Sequence, residues 1–301
     1  MGNNSILDNI SEDDFYNEIR LCLSTYSLTK TGCGIIVEGP SDAKLLKKLL
    51  TNTDIIQSFA GKQVIKQALE RFPNEPCLIA ICDRDYEQNN IDHMFFYDYN
   101  CMELMLLNDQ TVLNALLSEY PLTIDMSSND IFKFILHELK PLSVLRKINY
   151  NNHFNLNISY SNVIFNESKS INLEVWSDCI RKRNNGKWSD EIYDIFQSEL
   201  RVPWKDSDYL FYTQGHDFFI YYAFLYADEY NKNYKPVYLE KSVRMAFNNN
   251  SFEKTNLYHQ LEEYSYDYGL SILRQVYVWF LYYIASIEIR LIYIVRILLI
   301  C

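Results

Sequence analysis

The stretch Gly34-Ile35-Ile36-Val37-Glu38-Gly39-Pro40-Ser41-Asp42 decides how the chain is read. A β-branched run ends on a carboxylate, a glycine punctuates it, and a proline and a serine open a segment with a second carboxylate. Proline favours the first turn of a helix, and Leu45, Leu46, Leu49 and Leu50 follow as an apolar stripe. The stretch therefore predicts a strand, a turn and a helix, with Gly39 allowing the turn that leaves Glu38 at a sheet edge. A second stretch, Leu78-Ile79-Ala80-Ile81-Cys82-Asp83-Arg84-Asp85, also runs apolar and ends in acids. Two strands that each finish on carboxylates predict one acidic site fed from both.

Working outward, residues 10–29 form an opening helix, with Asp13 and Asp14 in its first turn and Phe15, Ile19 and Leu23 at helical spacing. The first strand covers Ile35 to Glu38. A second is expected at Ile55 to Phe59, then a helix through Val64, Ile65, Ala68, Leu69 and Phe72 that ends at Pro73 and Pro76. The third strand is Leu78 to Cys82, the fourth Met94 to Tyr97, and helix resumes at Glu103 to Leu107. This βαβαβ order predicts an α/β fold, a largely parallel sheet flanked by helices on both faces. The continuous apolar runs are those of strands buried on both sides. Ligands collect outside the carboxyl ends of such strands, where Glu38, Asp83 and Asp85 fall and where Asp98 and Glu103 are further candidates.

From about residue 110 helical patterns dominate, at 111–118, 129–139, 190–199, 217–229, 240–247 and 253–266, with short β-leaning fragments at 150–175. The division that follows is an N-terminal helix packed on the sheet (1–29), a catalytic α/β unit (30–110) and a mainly helical C-terminal region for substrate or partner binding (111–301). Val276 to Ile300 is unusually apolar, but it carries Glu288, Arg290 and Arg296. Each such charge costs roughly 2.5–3.5 kcal/mol at a bilayer centre, so a buried or partner-covered helix is expected over a membrane span or an atypical tail, and no membrane is favoured.

The 48% hydrophobic and 15% aromatic content are globular values. A net charge of -11 argues against indiscriminate nucleic-acid binding, though not against an enzyme that grips a polyanion locally. The dense positive run Arg181-Lys182-Arg183 to Lys187 is a candidate RNA contact, against the alternative of a solvated turn. Cys22, Cys33, Cys77, Cys82, Cys101, Cys179 and Cys301 show neither disulfide-framework nor zinc spacing, and a reducing cytoplasm is the expected setting. Cys77 and Cys82 are expected to be buried as small hydrophobes.

Asp83 and Asp85, two apart at a strand end, are expected to project to one side while Arg84 points away. With Glu38 added, three carboxylates converge. Two like charges about 4 Å apart repel by roughly 4 kcal/mol at an effective dielectric near 20, so the cluster must shift its pKa values or recruit a divalent cation. Oxygen-only ligands suit Mg²⁺ or Mn²⁺, whose usual work is phosphoryl chemistry. Lys62 is a candidate to hold a scissile phosphate as a point charge, against the alternative of an exposed first-turn lysine. Asp217 is expected to cap the helix that follows it.

Val37-Glu38-Gly39-Pro40-Ser41-Asp42 followed by Asp83-Arg84-Asp85 resembles the Toprim domain of topoisomerases, primases and overcoming-lysogenization-defect nucleases. More narrowly, Phe59-Ala60-Gly61-Lys62, Cys82 to Tyr86 and Tyr97-Asp98-Tyr99-Asn100-Cys101-Met102-Glu103 resemble a Toprim-like nuclease family of bacterial anti-phage defence, encoded beside an ABC-type ATPase. The Toprim match spans residues 30–108, and Gly215-His216-Asp217, Arg244 to Phe247 and Thr255 to Tyr258 are family-like further on. The resemblance implies a Toprim-like sheet and a metal-dependent endonuclease. In it Glu38 is the general acid/base, Asp83 and Asp85 hold Mg²⁺ (or Mn²⁺), and Asp42 and Glu103 are supporting acids. It also implies a tRNA substrate, the ABC-type ATPase subunit as partner, and toxicity during infection as the outcome. A homodimer is a candidate active form, because a Toprim site with one shallow acidic edge often needs a second subunit to shape the substrate groove. The chain departs from the family in carrying Ala60-Gly61 where two glycines are common before the lysine.

Two other classes compete with the nuclease reading. A catalytically quiet interaction subunit of an ATPase complex would use the acids for docking. A haloacid-dehalogenase-type phosphatase would need its aspartate after the first strand rather than the third, and dinucleotide binding lacks its GxGxxG.

Overall fold

A computed structural model describes residues 11–29, 31–87, 89–159, 170–230 and 234–274. β1 (Cys33–Val37), β2 (Thr53–Gln57), β3 (Leu78–Cys82) and β4 (Met94–Phe96) form one sheet in the order β2-β1-β3-β4, every pair parallel. The chain is thus an α/β protein. The register sets Ile35 beside both Ile55 and Ile79.

The continuous apolar runs have a direct cause. Ile35, Val37, Ile79 and Ile81 enter one core, with Leu45, Leu46 and Leu49 of α2 (Pro40–Leu49). Ile36, Leu78, Ala80 and Cys82 enter a second, with Phe15 and Ile19 of α1 (Glu12–Thr29) and Ile65, Ala68 and Leu69 of α3 (Gly61–Arg71). Successive side chains leave opposite faces of a strand, and both faces are covered, so no position in β1 or β3 is left to water. Truncating a buried residue such as Ile79 to alanine would cost about 2–5 kcal/mol. At the sheet edge β2 is less uniform, with Asp54 exposed, and it begins two residues before the apolar pattern predicts.

From β1 the chain moves through α2 to β2 on one side, then returns through α3 to β3 on the other. The two strand ends flanking that reversal bound the crevice in which such sheets place ligands.

Beyond the sheet come α4 (Met102–Leu107), α5 (Gln110–Glu119), α6 (Ser128–Glu138), α7 (Lys140–Asn151), α8 (Leu173–Arg183), α9 (Asp190–Arg201), α10 (Asp206–Tyr212), α11 (Gly215–Tyr230), α12 (Pro236–Ala246), α13 (Asn249–Phe252) and α14 (Asn256–Tyr268). Their buried residues, among them Leu142, Trp176, Phe196 and Phe218, share one core with Val37 and Ile81. The helical region is therefore built directly on one sheet face. In the span 150–175 no strand occurs among the described residues: α7 runs to Asn151, α8 starts at Leu173, and 160–169 lie outside them. The apolar segment 276–300 also lies outside the described residues, among which no helix is long and apolar enough to cross a membrane.

Candidate active site

Glu38 follows β1 directly and accepts a hydrogen bond on Oε1 from the Asp83 N–H, 3.2 Å away, which ties the ends of β1 and β3 together. Gly39 is extended (φ −156°, ψ −178°), a conformation open to any residue, and a Cβ there would only touch Asp42 Oδ2 at 3.6 Å. The expected need for glycine at this turn is therefore not met. Proline in the first turn of α2 and Asp42 start the helix, the Asp42 carboxylate accepting from the Gly39 N–H at 3.1 Å.

Asp83 and Asp85 do not share a side through strand alternation, because β3 ends at Cys82 and the chain then turns. Arg84 and Asp85 donate their N–H groups to the Asn100 carbonyl (2.9 and 3.1 Å), and Tyr86 donates to Asn100 Oδ1 (3.2 Å). Asp85 and Tyr86 take left-handed backbone (φ 47° and 68°). Asp83 turns inward and accepts from the Met102 N–H at 2.8 Å, at the start of α4. Asp85 turns outward to Lys62 and Gln214. Arg84 does point away, its guanidinium 4.9 Å above the Phe96 ring.

Lys62 is not an exposed first-turn lysine: its side chain is 16% exposed. Its ammonium lies 2.9 Å from Asp85 Oδ2, 3.3 Å from the Arg84 carbonyl and 3.9 Å from Glu38 Oε1. Gly61 precedes it at φ +69°, where a side chain is strained, whereas Ala60 has φ −146°. The one glycine this chain keeps before the lysine is thus the one its backbone requires.

Burial pushes the Asp83 carboxyl well above the usual carboxylate range, and Glu103, Asp85 and Asp42 add repulsion. Burial likewise raises Glu103 and Asp42. The enclosed Tyr97 hydroxyl lies against Asp42 yet makes no hydrogen bond of good geometry. Glu103 is pressed by Gly215 at the start of α11, where a Cβ would fall 2.3 Å from Glu103 Cβ. Glu38 is raised by burial against the downward pull of Lys62. For Lys62 itself burial acts downward, but Asp85 and Glu38 outweigh it and hold the ammonium charged. The site thus has two parts: Asp83, Glu103 and Asp42 repel one another, while Asp85 and Glu38 share Lys62.

A divalent cation fits the first part in donor chemistry, since carboxylate oxygens are hard ligands and the crowded charge calls for one. Among the described residues no three His, Cys, Asp or Glu side chains form a closed ligand set. Mg²⁺ does not require one, because it is usually held by one or two carboxylates together with water and substrate phosphate.

Other predicted residues lie elsewhere. Asp98 accepts from the Asn256 and Leu257 N–H groups, both at 2.9 Å, and so caps α14. Asp217 does not act as an N-cap; buried, it takes two hydrogen bonds from Arg146 at 2.8 and 2.9 Å. His216 pairs with Glu240 at 3.1 Å. The Arg244–Phe247 segment is anchored by Lys48, whose ammonium donates to the carbonyls of Arg244, Met245 and Phe247. Arg181, Lys182, Arg183 and Lys187 are exposed, and Lys187 donates to the Asn155 carbonyl at 3.0 Å. Cys77 and Cys82 are buried, as expected. Residues missed in the sequence are Asn100 and Gln214. The first had a signal, since it lies inside the Tyr97–Glu103 stretch; the second had none.

The fold and the site together define an α/β protein with an acidic cluster at the switch point of a parallel sheet. Compared with models of known protein families and with curated proteins, the chain finds no match.

Proposed function

We propose that this chain is a Toprim-like, divalent-metal-dependent endonuclease that hydrolyses phosphodiester bonds in RNA. The supporting observation is the join between Glu38 and Asp83, which brings carboxylates from the β1 and β3 ends to one crevice with Lys62 beside them. Asp83, with Glu103 and Asp42 beside it, would hold Mg²⁺ or Mn²⁺, and Asp85 would join them on leaving Lys62; such an ion supplies Lewis-acid stabilisation of phosphate charge when bound. Glu38, raised by burial, is suited to passing a proton between an attacking oxygen and the solvent or a leaving oxygen. Lys62 offers a point charge to a non-bridging phosphate oxygen.

The biological setting follows from resemblance. The motifs are similar to those of AriB, the effector of the PARIS anti-phage system, so the role proposed is a toxic effector that cleaves tRNA under control of an ABC-type ATPase. The test is expression with and without such an ATPase, followed by sequencing of RNA ends. New ends that require a divalent ion and vanish in Glu38→Gln, with that variant still folded, support the proposal. Normal cleavage by Glu38→Gln overturns it, and DNA ends in place of RNA ends would shift the substrate.

One observation favours a catalytically quiet interaction subunit: Lys62 already neutralises Asp85 and Glu38. If Asp83→Asn and Asp85→Asn keep complex formation but lose toxicity, that second reading fails.

A further inference from the structure

A cleft of about 350 Å³ opens beside the acidic site, with Asp85 and Gln214 in its lining. We infer that it is a subsite for one unstacked nucleobase next to the bond to be cut, and that the substrate is therefore presented single-stranded. The inference rests on the nuclease reading above.

The cleft is joined to the site by a direct contact, since Gln214 Nε2 donates to Asp85 Oδ1 at 3.2 Å. One wall is a pair of tyrosines. Tyr86 is held from two directions: its N–H donates to Asn100 Oδ1 and its hydroxyl to the Tyr212 carbonyl, each at 3.2 Å. Tyr150 packs on it with ring centroids 5.4 Å apart and planes tilted by 44°, while remaining 41% exposed. Tyr150 thus presents an open ring backed by a fixed one, which is what base stacking needs, and it stacks any base.

The rest of the lining is also preformed. Asn149 accepts from the Leu156 N–H at 2.8 Å, and Asn184 accepts from the Asn157 N–H at 2.7 Å and donates to the Asn157 carbonyl at 3.1 Å. These bonds shape the loop carrying His153, an exposed ring that lines the cleft. Arg146 spends Nε and Nη2 on Asp217, which leaves Nη1 as a donor for a base edge. The volume is at the low end for small-ligand sites, which suits one base and excludes a duplex. A base stacked on both sides within a helix cannot enter, so it must be unpaired.

The test measures binding in metal-free buffer, in a Glu38→Gln background, with short RNA and DNA strands carrying one 2-aminopurine. Expected are quenched fluorescence with single strands and little with duplexes. Tyr150→Ala should weaken binding at least about fivefold and remove the quench. Tyr150→Phe should retain both, as should Tyr266→Ala, an exposed tyrosine of α14. Equal quenching by RNA and DNA means that the base is read; quenching by RNA alone adds the ribose, and either agrees with the subsite. Absent binding, duplex binding equal to single-strand binding, or an unaffected Tyr150→Ala overturns it. Binding is scored without cleavage, so the nuclease reading stands or falls separately, on whether wild type cleaves and Glu38→Gln does not.

Discussion

Lys62 holds its ammonium 2.9 Å from the Asp85 carboxylate and so fastens the first turn of α3 to the loop after β3. The same ammonium reaches Glu38 at 3.9 Å, so one cation bridges the elements that follow β1, β2 and β3.

Replacing it tests whether the bridge is structural or functional. Asp85 is 38% exposed, and solvent screening keeps the stability contribution of such a pair under ~1 kcal/mol. Removing a positioned charge at a phosphate site costs on the order of 100-fold in rate. Lys62→Ala is therefore expected to melt close to wild type while cleaving RNA far more slowly. A wild-type rate would remove Lys62 from the site.

Asp83 offers a test of ion binding that does not depend on turnover. Its raised pKa means that the folded protein resists ionising it, so the penalty grows as pH climbs from the usual carboxylate range toward the raised value and is absent in acid. Asp83→Asn keeps an acceptor for the Met102 N–H and removes the charge. In metal-free buffer at neutral pH it should be more stable than wild type by about 0.5–2 kcal/mol, a gain that fades in acid. Saturating Mg²⁺ should raise the melting temperature of wild type and leave Asp83→Asn unmoved. Equal shifts in the two proteins would place the ion elsewhere.

Asn100 is fully buried and organises the acidic loop through both its backbone and its side chain. Asn100→Ala leaves the Tyr86 N–H and the Thr213 carbonyl without partners. At about 1–3 kcal/mol for each buried unmade bond, the total loss should be about 2–6 kcal/mol, read by urea unfolding. A loss below ~1 kcal/mol would mean that water replaces the side chain.

His216 and Glu240 give a pH-dependent signature outside the acidic cluster. Its hydrogen bond to Glu240 raises His216, so that contribution is complete below about pH 6.5 and is lost as pH rises through the elevated value. Bonding to His216 lowers Glu240, so that contribution is present above about pH 4.3 and is lost as pH falls through the depressed value. The pair therefore stabilises most between about pH 4.3 and 6.5. With the His216 side chain 67% exposed, the effect is a few tenths of a kcal/mol. Denaturant titration of His216→Ala should show that loss near pH 5.5 and none at pH 8.

Local pattern carried much of the fold. The apolar runs at 33–37 and 78–82, the proline that opens α2 and the stripes of α2 and α3 were enough for a parallel sheet covered on both faces, with Glu38 and Asp83 at strand ends. Helices whose signals are short or run into a neighbour were not legible, as with α10, only seven residues long, and α7, which starts one residue after the Leu139 cap of α6.

Side-chain partners are another matter. Periodicity along a chain reports which positions are buried, because it reflects the geometry of one element. It carries no information on what a buried group meets when another element docks. Asp217 read as a cap and became half of a pair with Arg146, and Asp98 became a cap for a helix 158 residues away. Likewise the division of the acids, with Asp83 turned toward Glu103 and Asp85 toward Lys62, follows from left-handed backbone at Asp85 and Tyr86 held by Asn100. The sequence by itself determined that acids would gather at the ends of β1 and β3. Only the packing of α3, α4 and α11 against those ends decided which acids repel one another and which share the lysine.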